Sequence, residues 1–179
     1  MFTENTILAV EEVAQKFRNN EIIFLTESDF KLAIANTISL KIDNSDITIN
    51  TESPWYDTYI TKKSYYVDVT AFDKTKLQIT YDPVLNRKGY KYDDEALAME
   101  LKYFRHNDDV GEIAKDFYKM TLLIQAPNNE CFIVAGARTD ELFERGKNFM
   151  KSQLDIYRTE YSNRVKIYLF GPKSLIEFR

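Results

Sequence analysis

The stretch ALAMELKYFR, Ala96–Arg105, decides how the chain is read, because a run of apolar and aromatic residues there carries a glutamate and a lysine two positions apart. Alternation along a β-strand sends Leu97, Met99, Leu101 and Tyr103 to one face and Ala96, Ala98, Glu100, Lys102 and Phe104 to the other. The first set is a core face. The second begins with small residues and then places opposite charges roughly 7 Å apart, at about 3.3 Å of rise per residue. Such a face is either an exposed sheet surface or a constructed site.

Downstream of this strand, Val110, Ile113, Phe117, Met120 and Ile124 recur at helical spacing after the turn RHNDDVG. CFIVAGA then reads as a buried strand, DELFERGKNFMKSQLDIY as a helix, and RVKIYLFG as a closing strand before a short tail. Upstream, the period is two. DITIN, SYYVDVTAF and KLQITYDPVL read as strands joined by turns rich in Asp, Asn, Lys and Gly. Before them, Ile7, Val10, Val13, Ala14 and Phe17 mark one amphipathic helix and Phe30, Ala33, Ile34, Thr37 and Ile38 a second, with Thr26 or Ser28 as its N-cap. Glu27 therefore stands at a helix start. Helices, an antiparallel meander and then a β-α-β-α-β alternation predict an α/β sandwich with a mixed sheet.

The 179 residues suit one domain, 1–179, with a real core. A net charge of −4 excludes a protein that coats DNA through its overall field, so any nucleic-acid contact rests on a local patch. Cys131 is the single cysteine and His106 the single histidine. Disulfides, cysteine-based metal sites and Ser-His or Cys-His triads therefore have little to work with, and a reducing, cytoplasmic setting is expected. The longest apolar run is far short of a membrane span, and no basic secretory leader is seen at the start. No Walker A loop or Gly-x-Gly-x-x-Gly occurs, so nucleotide cofactors are not indicated.

Phosphodiester hydrolysis needs carboxylate oxygens that hold a hard cation, which polarises the phosphate and offsets charge in the transition state, and it profits from a fixed ammonium beside them. Glu100 and Lys102 supply one carboxylate and one ammonium on a single face. A second carboxylate is offered by Asp82 in KLQITYDPVLNRKG, 18 positions earlier. Asp68 in YYVDVTAF, 32 positions before Glu100, is its rival and sits mid-strand with Tyr66 and Thr70 on its face. Beside these, NRKGYKY interleaves Arg87, Lys88 and Lys91 with Tyr90 and Tyr92, a composition able to contact phosphates and stack on bases.

TYDPVLNRKGYKYDDEALAMELKYF, followed by EIAKDFYKMTLL, resembles the PD-(D/E)XK, restriction-endonuclease-like nuclease superfamily, whose pattern is an acid at a strand end, Glu-x-Lys on the next strand and then a helix. The resemblance extends by order of elements from about Thr26 to Gly136 and departs from the family in placing Pro83 after the acid. It implies a restriction-endonuclease-like mixed β-sheet flanked by helices. It further implies Mg²⁺ or Mn²⁺ held by Asp82 and Glu100, Lys102 positioning the water, and Glu27 as an additional catalytic acid. Asp116 and Lys119 match polar positions on the helix after the lysine strand; the alternative is an i,i+3 solvated pair, the reading favoured for Lys119. The implied function is a metal-dependent nuclease acting on nucleic acid, DNA first, with no membrane partner and with a homodimer as the natural assembly. The alternative is a catalytically inactive nuclease-like domain that binds nucleic acid or a partner protein.

Overall fold

The computed structural model describes residues 2–56, 64–82, 87–92, 94–161 and 163–178, and of residues 54–56, 64–65, 79–82 and 87–91 it describes the backbone. Two helices come first, α1 (Phe2–Arg18) and α2 (Glu27–Lys41), followed by strands β1 (Ile47–Tyr56) and β2 (Ser64–Asp73). A short hairpin follows, β3 (Gln78–Asp82) and β4 (Arg87–Lys91), and then β5 (Ala96–Phe104). The chain continues through α3 (Asn107–Leu123), β6 (Asn129–Ala137), α4 (Asp140–Tyr161), β7 (Val165–Phe170) and β8 (Leu175–Phe178).

Six strands form one mixed sheet in the order β1-β2-β5-β6-β7-β8. β1, β2 and β5 run antiparallel, β5, β6 and β7 run parallel, and β8 returns antiparallel to β7. The parallel steps use α3 and α4 as crossovers, the connection a parallel pair requires. The stretch after Phe170, expected to be a tail, thus adds an edge strand. β5 lies inside the sheet, and its two faces diverge as its alternation predicts. Leu97, Met99, Leu101 and Tyr103 pack with Val10, Val13, Phe30 and Ile34 of α1 and α2. Ala98 and Phe104 pack with Ile113, Phe117 and Met120 of α3 and Met150 of α4. With a helix pair on each face, the architecture is α/β and compatible with a sandwich.

Local chemistry explains the helix starts that matter below. Thr26 caps α2: its side chain accepts from Asp29 N at 3.1 Å while the Asp29 carboxylate accepts from Thr26 N at 2.8 Å. Ahead of α3, the Asp109 carboxylate accepts from the backbone N–H groups of Arg105 and His106, both at 2.8 Å. α4 lies so close to β5 that a Cβ on Gly146 would stand 2.5 Å from the Phe104 ring. Glycine is therefore required there by proximity.

β3 and β4 form a separate two-stranded sheet, with Asp82 paired to Arg87. NRKGYKY, read from sequence as a basic loop, is thus mostly strand. The sheet neighbour of β5 on its antiparallel side is β2, and β3, expected there, is not part of the six-stranded sheet. Among the described residues no helix is long and apolar enough to cross a membrane.

Candidate active site

Glu100 and Lys102 lie where the pairing of β5 with β2 stops. That ladder has four steps, from Phe72 opposite Ala96 to Val69 opposite Met99. One residue further along, the Asp68 carboxylate takes over, with Oδ2 accepting the Leu101 N–H at 2.8 Å in place of a strand carbonyl. On its other side β2 pairs with β1 through Thr51 opposite Val69 and Ser53 opposite Val67. Between them Glu52 adopts φ 54°, a left-handed backbone that costs a non-glycine residue free energy. The sheet therefore opens at Asp68, and charged side chains from both flanking helices enter the opening.

From α2, Lys31 Nζ reaches Asp68 Oδ1 at 2.7 Å, Glu52 Oε1 at 2.7 Å and Glu27 Oε1 at 3.4 Å. Glu27 Oε2 in turn holds Lys102 Nζ at 3.1 Å. From α3, Lys119 Nζ donates to Glu100 Oε2 at 2.6 Å and to the Tyr66 carbonyl at 2.9 Å. Glu27 and Lys102 thus pair with each other, and Glu27 also reaches Lys31 on Asp68, while Glu100 is held by Lys119. Lys119 is drawn inward by Glu100 and is not the solvated i,i+3 partner of Asp116.

Glu100 is only 1% exposed, and its Oε1 has no hydrogen-bond partner. A buried carboxylate oxygen left so costs on the order of 1–3 kcal/mol or more. Burial, and after it the negative charge of Asp68, push the Glu100 carboxyl up to about 9 against the pull of Lys119. Asp116 is pushed up to about 7, first by burial, with Asp68 adding to the rise and Lys119 opposing it. At Lys31, burial disfavours the ammonium, but the hydrogen bonds to Asp68 and Glu52 prevail and raise its pKa above the ordinary lysine value.

Asp82 ends β3 in the separate hairpin, and its side chain lies outside the described residues, as do those of Arg87, Lys88 and Lys91. The position beside Glu100 is occupied by its rival, Asp68. Lys31 and Glu52 were not anticipated. Lys31 stands one helical turn after Glu27, a spacing that marks it as a neighbour of any site Glu27 serves; nothing in the sequence around Glu52 signals its role. Cys131 is buried in β6 among the residues packed under α3 and α4, its thiol pushed up to about 12 by burial, which suits a packed residue and no nucleophile.

A hard divalent ion takes oxygen donors and usually keeps several waters, so one or two carboxylates suffice to hold it. Asp68 and Glu100, the latter with a buried and unpartnered Oε1, fit that donor chemistry. Among the described residues no three His, Cys, Asp or Glu side chains are gathered closely enough to grip an ion as they stand. Comparison of the chain with protein-family models, curated proteins and solved structures gave no match.

Proposed function

We propose that this protein is a metal-dependent nuclease of restriction-endonuclease-like design that hydrolyses phosphodiester bonds, in DNA first, with Asp68 in the place expected for Asp82. The observation that carries this reading is Glu100: a glutamate sealed within the sheet, one oxygen unpartnered, facing a second carboxylate across the end of a strand ladder. Structural ion pairs satisfy their oxygens; a buried carboxyl left unsatisfied is relieved either by a proton, as its raised pKa reflects, or by a ligand that displaces that proton.

Asp68 and Glu100 would hold the ion. Mg²⁺ or Mn²⁺ bound there supplies electrostatic stabilisation of the phosphoryl transition state and activates water. Lys102, anchored at 3.1 Å by Glu27, presents an ammonium to orient the water or a phosphate oxygen. Glu27 acts through Lys102 as a positioning residue. The Leu101 N–H fixes the orientation of Asp68, and Lys119 fixes that of Glu100. Partners on this reading are nucleic acid and, for double-strand cleavage, a second copy of the chain. Arg87, Lys88 and Lys91, in the sequence of β4, would supply phosphate contacts.

A second reading, a silent nuclease-like domain that binds nucleic acid or a protein, draws on the lysines: Lys31 and Lys119 already neutralise Asp68 and Glu100 without a metal. Oligonucleotide and plasmid cleavage in Mg²⁺ and in EDTA separates the two. The nuclease reading expects cleavage only with metal, lost in Glu100→Gln and strongly reduced in Lys102→Ala, with unchanged circular dichroism. Cleavage that survives both substitutions removes it.

A further inference from the structure

Lys31 is the best-surrounded cation of the site. Its ammonium touches three carboxylates, two at 2.7 Å and one at 3.4 Å, and its side chain is 14% exposed. One oxygen of Asp68, Oδ2, already accepts the Leu101 N–H. The other, Oδ1, is the atom that Lys31 covers. An ion that takes Oδ1 must therefore displace the ammonium.

The exit is also provided. Glu52 also holds the Lys31 ammonium, at 2.7 Å, is more than half exposed, and stands on the left-handed backbone at φ 54°. A lysine side chain has four rotatable carbons, so its ammonium can leave Asp68 and keep its contact with Glu52. We propose that Lys31 is a tethered stand-in for the divalent ion: its ammonium holds the cation position on Asp68 Oδ1 in the free protein and retires onto Glu52 when the metal enters. This rests on the metal-site reading above and adds to it a residue that sets metal affinity by direct competition.

The arrangement answers a physical problem. Carboxylates brought together in an opening of the sheet repel one another, and without a cation the apo protein would be destabilised. An ammonium carried by α2 keeps the site assembled until metal arrives, at the expense of affinity. Among the described residues no other ammonium does this for Asp68, since Lys102 is held by Glu27 and Lys119 by Glu100.

Calorimetric titration with Mn²⁺ alone, on the full chain, tests the proposal. Lys31→Met should bind Mn²⁺ at least about tenfold more tightly than wild type, because an ion no longer displaces a neighbouring positive charge. Lys31→Arg, which retains the charge, should not gain. The Lys31→Met protein should also melt at a lower temperature than wild type in EDTA and recover with Mn²⁺, a recovery that a purely structural lysine does not predict. If Lys31→Met folds poorly, wild type suffices: amine labelling read by mass spectrometry should rise severalfold at Lys31 on saturation with Mn²⁺. Equal or weaker binding by Lys31→Met, or labelling indifferent to Mn²⁺, overturns the proposal. Wild-type binding with no gain in Lys31→Met defeats this inference alone, whereas no binding by either protein defeats the metal-site reading with it.

Discussion

Glu12 and Glu100 are both held by lysines at 2.6–2.7 Å, yet their carboxyls shift in opposite directions. Glu12 lies on α1 near the surface, with Lys16 on one oxygen and Lys41 of α2 on the other. The hydrogen bonds from Lys16 and then Lys41 hold it down to about 2. Glu100 has one lysine, one unpartnered oxygen and a neighbouring carboxylate, and burial pushes it up to about 9. The pairing is the same; water and the second oxygen differ. A glutamate that is fully satisfied at the surface ties two helices together, and one left incomplete inside the sheet is the group on which the proposed metal site depends.

Substitution by glutamine should separate the two most sharply in catalysis. Glu100→Gln is expected to lower Mg²⁺-dependent cleavage by about a thousandfold or more, the scale of removing a group that stabilises charge in a transition state. Glu12→Gln is expected to leave cleavage unchanged in the same assay.

The pH dependence of stability provides the next contrast. Glu100 has a folded-state value raised from 4.5 to about 9, so it binds its proton more tightly when folded. Its contribution is fully present below about 4.5 and is lost as pH rises towards about 9. Asp116 acts in the same direction between 3.8 and about 7. Urea unfolding in EDTA should therefore show stability falling from pH 5 to pH 9, with a shallower fall in Glu100→Gln. Glu12 works in the opposite sense: its value drops from 4.5 to about 2, so its contribution is present above about 4.5 and disappears as pH falls through about 2.

The smallest effect belongs to Glu12→Gln at neutral pH. Partly exposed ion pairs are screened by solvent, so its loss should cost less than about 1 kcal/mol in urea unfolding. A larger cost would mean that the α1–α2 pair is not the ordinary surface feature it resembles.

The comparison also shows what a linear sequence displays. The boundaries of β5 follow from ALAMELKYF because alternation and a core face act locally, and the helices follow from apolar spacing for the same reason. Glu27 was legible through its position after the Thr26 cap, and Glu100 and Lys102 through their shared face. Which acid stands beside Glu100 was not legible, because strand order is a long-range property. KLQITYDPVL is as strand-like as YYVDVTAF, but it turns back on β4 and leaves β2 to pair with β5. Glu52 escaped notice for a related reason, since its left-handed backbone exists only in the context of the β1–β2 ladder. Lys31 and Lys119 look like solvent-facing lysines until the carboxylates they serve are placed opposite them.

The most direct test of the account is Mn²⁺ binding by calorimetry in four proteins: wild type, Asp68→Asn, Glu100→Gln and Asp82→Asn. Binding at a defined stoichiometry in wild type and Asp82→Asn, and its loss in Asp68→Asn and Glu100→Gln, is the predicted result. Binding that is absent from wild type, or that persists when Asp68 and Glu100 are replaced, would contradict the metal site on which the proposed hydrolysis depends.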